Sequence, residues 1–222
     1  MSTATNGATP VAGNHGLEQP STSPDDYQAL VQWLREGSDS AVAPRNVGIT
    51  SCSPRAGVST VAKQLAIAAA AASERPVLLL DLSGVESSEP PRSPGDSVGK
   101  RLDTIALARA TETPNLFLVQ AADVPSDDRH SAEFNAFELL SGALEEGYGY
   151  VVVDLPTTES NLCCQAAGLL DGILLVIEAE RTCIDAATRA KNRLLRAHAN
   201  LPGVLLNNYS QQLPKWFKSR SK

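Results

Sequence analysis

Asn46-Val47-Gly48-Ile49-Thr50-Ser51-Cys52-Ser53-Pro54-Arg55-Ala56-Gly57-Val58-Ser59-Thr60 is the stretch whose reading decides the fold. Val47–Ser51 reads as a buried strand, Cys52–Val58 as a loop, and the alanine-rich run Ser59–Ser73 as a helix. A loop between a strand and a helix start gathers anions, because the first backbone N–H groups of the helix have no partner within it. The phosphate-binding pattern G-x-x-x-x-G-K-S/T uses glycines to let the backbone wrap the phosphates. Its lysine neutralises the β and γ phosphates, and its hydroxyl binds Mg²⁺. Here Gly57 stands at the second glycine and Ser59, followed by Thr60, at the hydroxyl; Cys52 replaces the first glycine and Val58 the lysine. Taken alone, this loop is a weak motif.

It gains weight from what lies downstream. Val77–Asp81 and Tyr150–Asp154 are apolar runs that each end in an acid, as buried parallel strands do when their C-termini open on a site. Asp81 and Asp154 are therefore the candidate Mg²⁺-handling and catalytic carboxylates, although either alone would read as a polar strand end or a helix cap. Further strands are expected at Leu116–Gln120, Gly172–Glu178 and Gly203–Asn207. Helices are expected at Leu102–Ala110, Ala132–Glu146 and Ile184–Ala199. This alternation predicts an α/β, P-loop NTPase-like fold with a mostly parallel sheet and helices on both faces. Upstream, Ser23, Pro24, Asp25 and Asp26 make a helix start, and Tyr27, Leu30, Val31 and Leu34 form one apolar stripe that Gly37 ends. The expected organisation is a disordered tail over 1–22, a helix and linker over 23–43, the P-loop-like domain over 44–217 and a basic tail over 218–222. Residues 83–100, rich in Ser, Pro, Gly and Glu, read as a mobile loop.

The totals limit the partners. The chain of 222 residues has a net charge of −6 and only 5% aromatic residues, so its core must be aliphatic. A general nucleic-acid binder needs a basic face and is not expected. The sign reverses at the C-terminus, where Lys215, Lys218, Arg220 and Lys222 form a small basic tail, read as a solvated end or a contact for an acidic partner or membrane surface. Cys52, Cys163, Cys164 and Cys183 have no metal spacing, and a reducing cytosol fits them. Met1 to Pro10 lacks the pattern of a signal peptide, and no apolar run has the length of a membrane span, so a cytoplasmic protein is expected.

At these motifs the chain resembles the bacterial tyrosine autokinases of capsule and exopolysaccharide synthesis, within the wider group of septum-placement and partition ATPases. The resemblance runs from about Asp25 to Trp216. The family loop commonly reads T-S-x-x-P-G-E-G-K-S-T, and Thr50 to Thr60 matches its ends and departs in its middle. The second family motif, V-L-L-I-D-A-D, becomes Val77-Leu78-Leu79-Leu80-Asp81-Leu82-Ser83, which keeps the first acid and loses the second. The third, Y-D-x-V-I-I-D-T-P-P, becomes Tyr148-Gly149-Tyr150-Val151-Val152-Val153-Asp154-Leu155-Pro156-Thr157. D-G-x-L-L-V matches Asp171 to Val176, and G-V-V-L-N matches Gly203 to Asn207, whose asparagine faces the adenine in the family. Partition-type relatives carry an extra lysine where Ser53 stands, so the autokinase branch fits better.

The resemblance implies ATP and Mg²⁺ as cofactors, held by Arg55, Gly57, Val58, Ser59, Thr60 and Asn207, with Ser59, Asp81 and Asp154 at the metal. It implies a membrane polysaccharide copolymerase or chain-length regulator as partner, membrane contact only through that partner, and a homo-oligomeric ring. Four departures weigh against the kinase activity. The loop lysine is gone, the second acid has become Ser83, and the N-terminal helix lacks the arginines of E-A-Y-R-x-L-R-x-x-L that assemble the ring. The tyrosine cluster that ends the family's kinases is also missing, for only Tyr27, Tyr148, Tyr150 and Tyr209 occur. Loss of one preorganised donor costs phosphoryl transfer about 3–4 kcal/mol; Arg55 is the loop cation that would have to compensate. The leading expectation is a degenerate autokinase-like protein with weak or no ATP hydrolysis. The alternatives are an active ATP-dependent tyrosine kinase and a partition-like ATPase or interaction scaffold.

Overall fold

Leu78, Leu80, Val151, Val153, Ile173 and Leu175 alternate along their strands with Val77, Leu79, Val152, Leu174 and Val176, and both sets are buried. A strand apolar on both sides needs cover on both sides, and the two sets fill separate cores. The computed structural model describes residues 24–36, 44–85, 104–124 and 132–208. In chain order these form α1 (Pro24–Glu36), β1 (Asn46–Ser51), α2 (Val58–Ala72), β2 (Val77–Asp81), α3 (Thr104–Leu107), β3 (Arg109–Ala110) and β4 (Leu116–Gln120). A 3₁₀ turn at Ala121–Asp123, α4 (Ala132–Glu145), β5 (Tyr150–Asp154), α5 (Asn161–Ala167), β6 (Gly172–Glu178), α6 (Ile184–Arg196) and β7 (Gly203–Asn207) follow.

The sheet order is β3-β4-β2-β5-β1-β6-β7, parallel throughout except for the β3–β4 pair. This is the expected α/β P-loop NTPase-like arrangement. Tyr27, Val31 and Leu34 of α1 pack with Val61, Leu65 and Ala69 of α2 in the core on one face. Leu139 and Leu140 of α4, Leu162 and Ala166 of α5, and Ala190 and Leu194 of α6 fill the other. Gly48 in central β1 lets that second core close, since a Cβ there would stand 2.7 Å from Leu170 Cδ1 and 2.8 Å from Leu155 Cδ1.

Two segments differ from expectation by more than one residue, and α2 begins at Val58, one residue earlier than expected. Leu102–Ala110 is not one helix: only Thr104–Leu107 is helical among its described residues, and Arg109 and Ala110 pair antiparallel with Leu118 and Phe117. The free edge of β4 gives those two residues backbone partners that a helix end would lack, and Arg109 also meets Asp123 at 3.3 Å. The last helix stops at Arg196 rather than Ala199. There the N–H groups of Ala197, His198 and Ala199 turn back to carbonyls of residues 193–195, and His198 takes a φ of 58°. The tail over 1–22, the Ser23 cap, Gly37, the linker residues 37–43, the loop beyond Val85, Tyr209, Trp216 and the basic tail lie outside the described residues. No described helix is long and apolar enough to cross a membrane.

Candidate nucleotide site

Gly57 caps the N-terminus of α2 with φ 87° and ψ 22°, a left-handed conformation that glycine adopts without a Cβ penalty. No side chain caps the helix, and its first turn carries no acid. The N–H groups of the first turn are therefore left for an anion, and the helix dipole favours one. Arg55 also has positive φ, at 65°, and leaves its side chain exposed at the tip of the loop. The loop is braced from within: Ser51 Oγ donates to Ser53 O at 2.7 Å, and Thr50 Oγ1 donates to Pro156 O at 2.6 Å.

A cavity of about 650 Å³ opens in front of the loop, lined by Arg55, Gly57, Val58, Ser59, Thr60 and Asp154, with Thr157, Glu159 and Ser160 across from them. The structure thus brings together most of the residues singled out in the sequence. Asp81 ends β2 in register with Asp154 at the end of β5. Its Oδ1 accepts from Ser83 N at 3.0 Å and Ser83 Oγ at 2.7 Å, and its Oδ2 accepts from Gln120 Nε2 at 3.2 Å. Ser83, at the position of the family's second acid, is thus a donor to the first.

Asp154 is incompletely satisfied. It is 3% exposed, and its Oδ1 has no hydrogen-bond partner. Burial pushes its pKa from 3.8 up to about 6; the Ser59 hydroxyl draws it down and the Asp81 charge pushes it up. The Ser160 hydroxyl, in the same cavity wall, is likewise buried without a partner. Orphaned oxygens beside a serine hydroxyl and a second carboxylate fit a hard cation such as Mg²⁺, which takes one or two carboxylates and completes its shell with water and phosphate oxygens. Among the described residues no group of three or more His, Cys, Asp or Glu could hold a metal, so such an ion would rest on Ser59, Asp81 and Asp154. The triphosphate side fits less well, because half-buried Val58 lines the cavity where a cation is needed.

Asn207 lies apart from the cavity wall. Its Nδ2 donates to Ala56 O at 2.8 Å, and a Cβ at Gly57 would fall 2.1 Å from that nitrogen. It also borders a groove of about 320 Å³ between α1 and β7, with Tyr27, Leu30, Trp33 and Leu205. Sequence reasoning did not single out Glu159 or Ser160, nor α5, whose seven residues are too few to show a helical period. It also missed the work of Asp171, whose Oδ2 accepts from the N–H groups of Arg45 and Asn46, both at 2.9 Å, and so anchors the start of β1.

A strand-loop-helix anion site at the C-terminal ends of a parallel sheet defines a P-loop NTPase-like protein, and comparison with solved structures agrees. The chimerical protein CapA2B2 superposes with a TM-score of 0.66 at 22% identity, over 87% of this chain and 88% of that one. The kinase domain of Escherichia coli tyrosine kinase ETK gives 0.66 at 17% identity, over 86% and 77%. The septum site-determining protein MinD from Pyrococcus horikoshii OT3, complexed with Mg-ADP, gives 0.52 at 16% identity, over 78% and 75%. The chain therefore has the fold shared by bacterial tyrosine kinase domains and by septum-site and partition ATPases. No family model matches the sequence, and no curated protein matches it.

Proposed function

We propose that this chain is a degenerate tyrosine-autokinase-like P-loop protein that binds Mg-ATP weakly or not at all. In this reading it serves exopolysaccharide or capsule biosynthesis or export as a regulatory partner of a membrane copolymerase. The observation that carries the reading is Val58 in the cavity wall at the head of α2. An isopropyl group cannot neutralise phosphate charge, and phosphoryl transfer depends on positioning and charge stabilisation. Three tyrosines fall among the described residues, and none of them lines that cavity: Tyr27 is buried on α1 in the core shared with α2, while Tyr148 and Tyr150 stand at the opposite end of β5 from Asp154. If bound, Mg²⁺ would be held by Ser59, Asp81 and Asp154 and would supply charge neutralisation at the phosphates. Gly57, Ser59 and Thr60 would meet the phosphates through their backbone N–H groups.

A second reading, an active kinase, draws on Arg55, the one loop cation in the cavity wall. A partition-like ATPase or scaffold is the third, favoured only by the shared fold. Calorimetric titration of the wild type and Val58→Lys with ATP, each with and without Mg²⁺, separates them. The degenerate reading expects millimolar or absent binding in the wild type and at least about a hundredfold gain in Val58→Lys, from ~3 kcal/mol of restored charge stabilisation. Micromolar Mg-ATP binding by the wild type together with phosphotyrosine formation overturns it. Neighbouring genes for glycosyltransferases or a chain-length regulator are expected, and their absence favours the third reading.

A further inference from the structure

Residues 181–198 carry Arg181, Arg189, Lys191, Arg193 and Arg196 against the single acid Asp185, in a chain whose totals are 19 Lys and Arg against 25 Asp and Glu. Most of these cations sit on α6, whose buried seam is only Ala190 and Leu194. Outside that seam, Ile184, Thr188, Lys191 and Leu195 recur at i, i+4, i+7 and i+11, a single stripe at helical spacing. Ile184 is 83% exposed and Leu195 47%, about 16 Å apart along the helix axis at 1.5 Å per residue. Arg193 leaves this face: its Nε donates to Cys164 Sγ at 3.2 Å and its Nη2 to Glu159 O at 2.8 Å. Arg181 is paired with Glu178 at 3.1 Å. Lys191 stands within the stripe, and Arg189 and Arg196, also exposed, lie about 120° round the helix from it, on the other flank of the outward face that carries Asp185 and Asn192.

The neighbouring sheet edge extends the surface. Val204 and Leu206 pair with Leu175 and Ile177, whose side chains belong to the core on the α6 side, so both face the side that α6 covers. They are 50% and 52% exposed. Four of the six large exposed apolar side chains among the described residues thus lie on α6 and β7. Single exposed aliphatics are ordinary, but a group of them among cations marks an interaction face. Nucleic acid would reward the cations and leave the aliphatics unused. A lipid interface rewards both, the aliphatics at the acyl boundary and the cations at headgroup phosphates.

We propose that the α6–β7 face docks directly on an anionic lipid surface, with Ile184 and Leu195 entering the headgroup boundary and Arg189, Lys191 and Arg196 meeting lipid phosphates. This contact requires no partner protein and no nucleotide, so it stands or falls apart from the preceding reading. The test is co-sedimentation of the full chain with vesicles of phosphatidylglycerol and phosphatidylcholine, against vesicles of phosphatidylcholine alone and against a DNA duplex. Binding to the anionic vesicles that weakens with salt is expected. Ile184→Asp/Leu195→Asp and Arg189→Glu/Lys191→Glu/Arg196→Glu should each lower the partition coefficient at least about tenfold. These positions lie outside the core, so an unchanged circular dichroism spectrum and Tm are expected of both; Lys191→Glu alone supplies the readout if either variant misfolds. A variant with Lys215, Lys218, Arg220 and Lys222 changed to Ser should keep most of the binding. No sedimentation with anionic vesicles, equal sedimentation of the α6 variants, loss of binding through the tail changes alone, or binding to DNA without vesicle binding each overturns the proposal.

Discussion

Replacing Asp154 with Asn should make this protein more stable at pH 8 and slightly less stable at pH 4. Asp154 is held at a pKa of about 6 against 3.8 for a free aspartate, chiefly because burial disfavours its charge. An acid whose folded pKa lies above its unfolded value binds its proton more tightly in the native state. Its contribution to stability is then full below about pH 4 and lost as pH rises through about 6. The difference between 3.8 and about 6 corresponds to roughly 3 kcal/mol lost at pH 8. Asparagine removes that charge in nearly the same volume but brings an amide that lacks a full set of partners, costing about 1–2 kcal/mol. The net gain is about 1–2 kcal/mol, or a Tm rise of roughly 2–8 °C for a chain of this length. Thermal melts of both proteins between pH 4 and pH 8 decide the matter. A variant that melts at or below the wild type at pH 8, or a difference that does not change with pH, refutes the account of Asp154 as a charge stored without compensation. A gain would also place Asp154 among residues kept against stability, which is common at ligand sites.

Gly57→Ala should cost more than about 2 kcal/mol in urea unfolding, since φ is 87° and the new methyl would sit 2.1 Å from Asn207 Nδ2. In an Asn207→Gly background the loss should shrink, because the clash is gone and only the backbone strain remains; additive losses would show that Asn207 does not press on the loop. Cys163 is buried, and its thiol is pushed up to about 11, first by that burial. Mass spectrometry after brief iodoacetamide exposure at pH 8 should therefore find exposed Cys183 labelled and Cys163 labelled only on unfolding; equal labelling of the two in the native protein would contradict the packing around Thr50.

What could be read in the sequence depended on the range of the forces involved. Val77–Asp81, Tyr150–Asp154 and Gly172–Glu178 announced themselves because burial on both faces demands continuous apolar residues, and the strands match the expected bounds. The loop residues Gly57, Val58, Ser59 and Thr60 were legible for the same local reason: the anion site is made by one turn and the helix start beside it. Arg109–Ala110 was not legible, because its strand state depends on the edge of β4, a partner that the segment itself does not encode. Glu159 and Ser160 reach the cavity only through the turn after β5, which Thr158 N ties to Ser51 O at 2.9 Å across the sheet end. The two hydrogen bonds that engage Asp81 Oδ1 come from Ser83, a residue that reads from sequence merely as a lost acid.

The brace between Asn207 and the loop bears on how such a loop can hold its shape without a lysine at the position of Val58. A phosphate loop whose shape depended on its ligand would be expected to collapse once the lysine was replaced, because bound phosphate is what the lysine secures. Here the shape is held by groups that do not need phosphate: Asn207 Nδ2 on Ala56 O, Thr50 Oγ1 on Pro156 O, and a left-handed Gly57 with no Cβ to meet the Asn207 amide. Ala56 is fully buried between them. Val58 sits in the first turn of α2, half-buried at the cavity wall and packed against the core that α1 and α2 share. The charge missing at this position falls mainly on ligand binding, so Val58→Lys should raise nucleotide affinity while lowering the unfolding free energy without nucleotide by no more than about 1 kcal/mol, the cost of one half-buried aliphatic contact. A loss well beyond that in Val58→Lys without nucleotide would mean that the loop has been rebuilt around the valine.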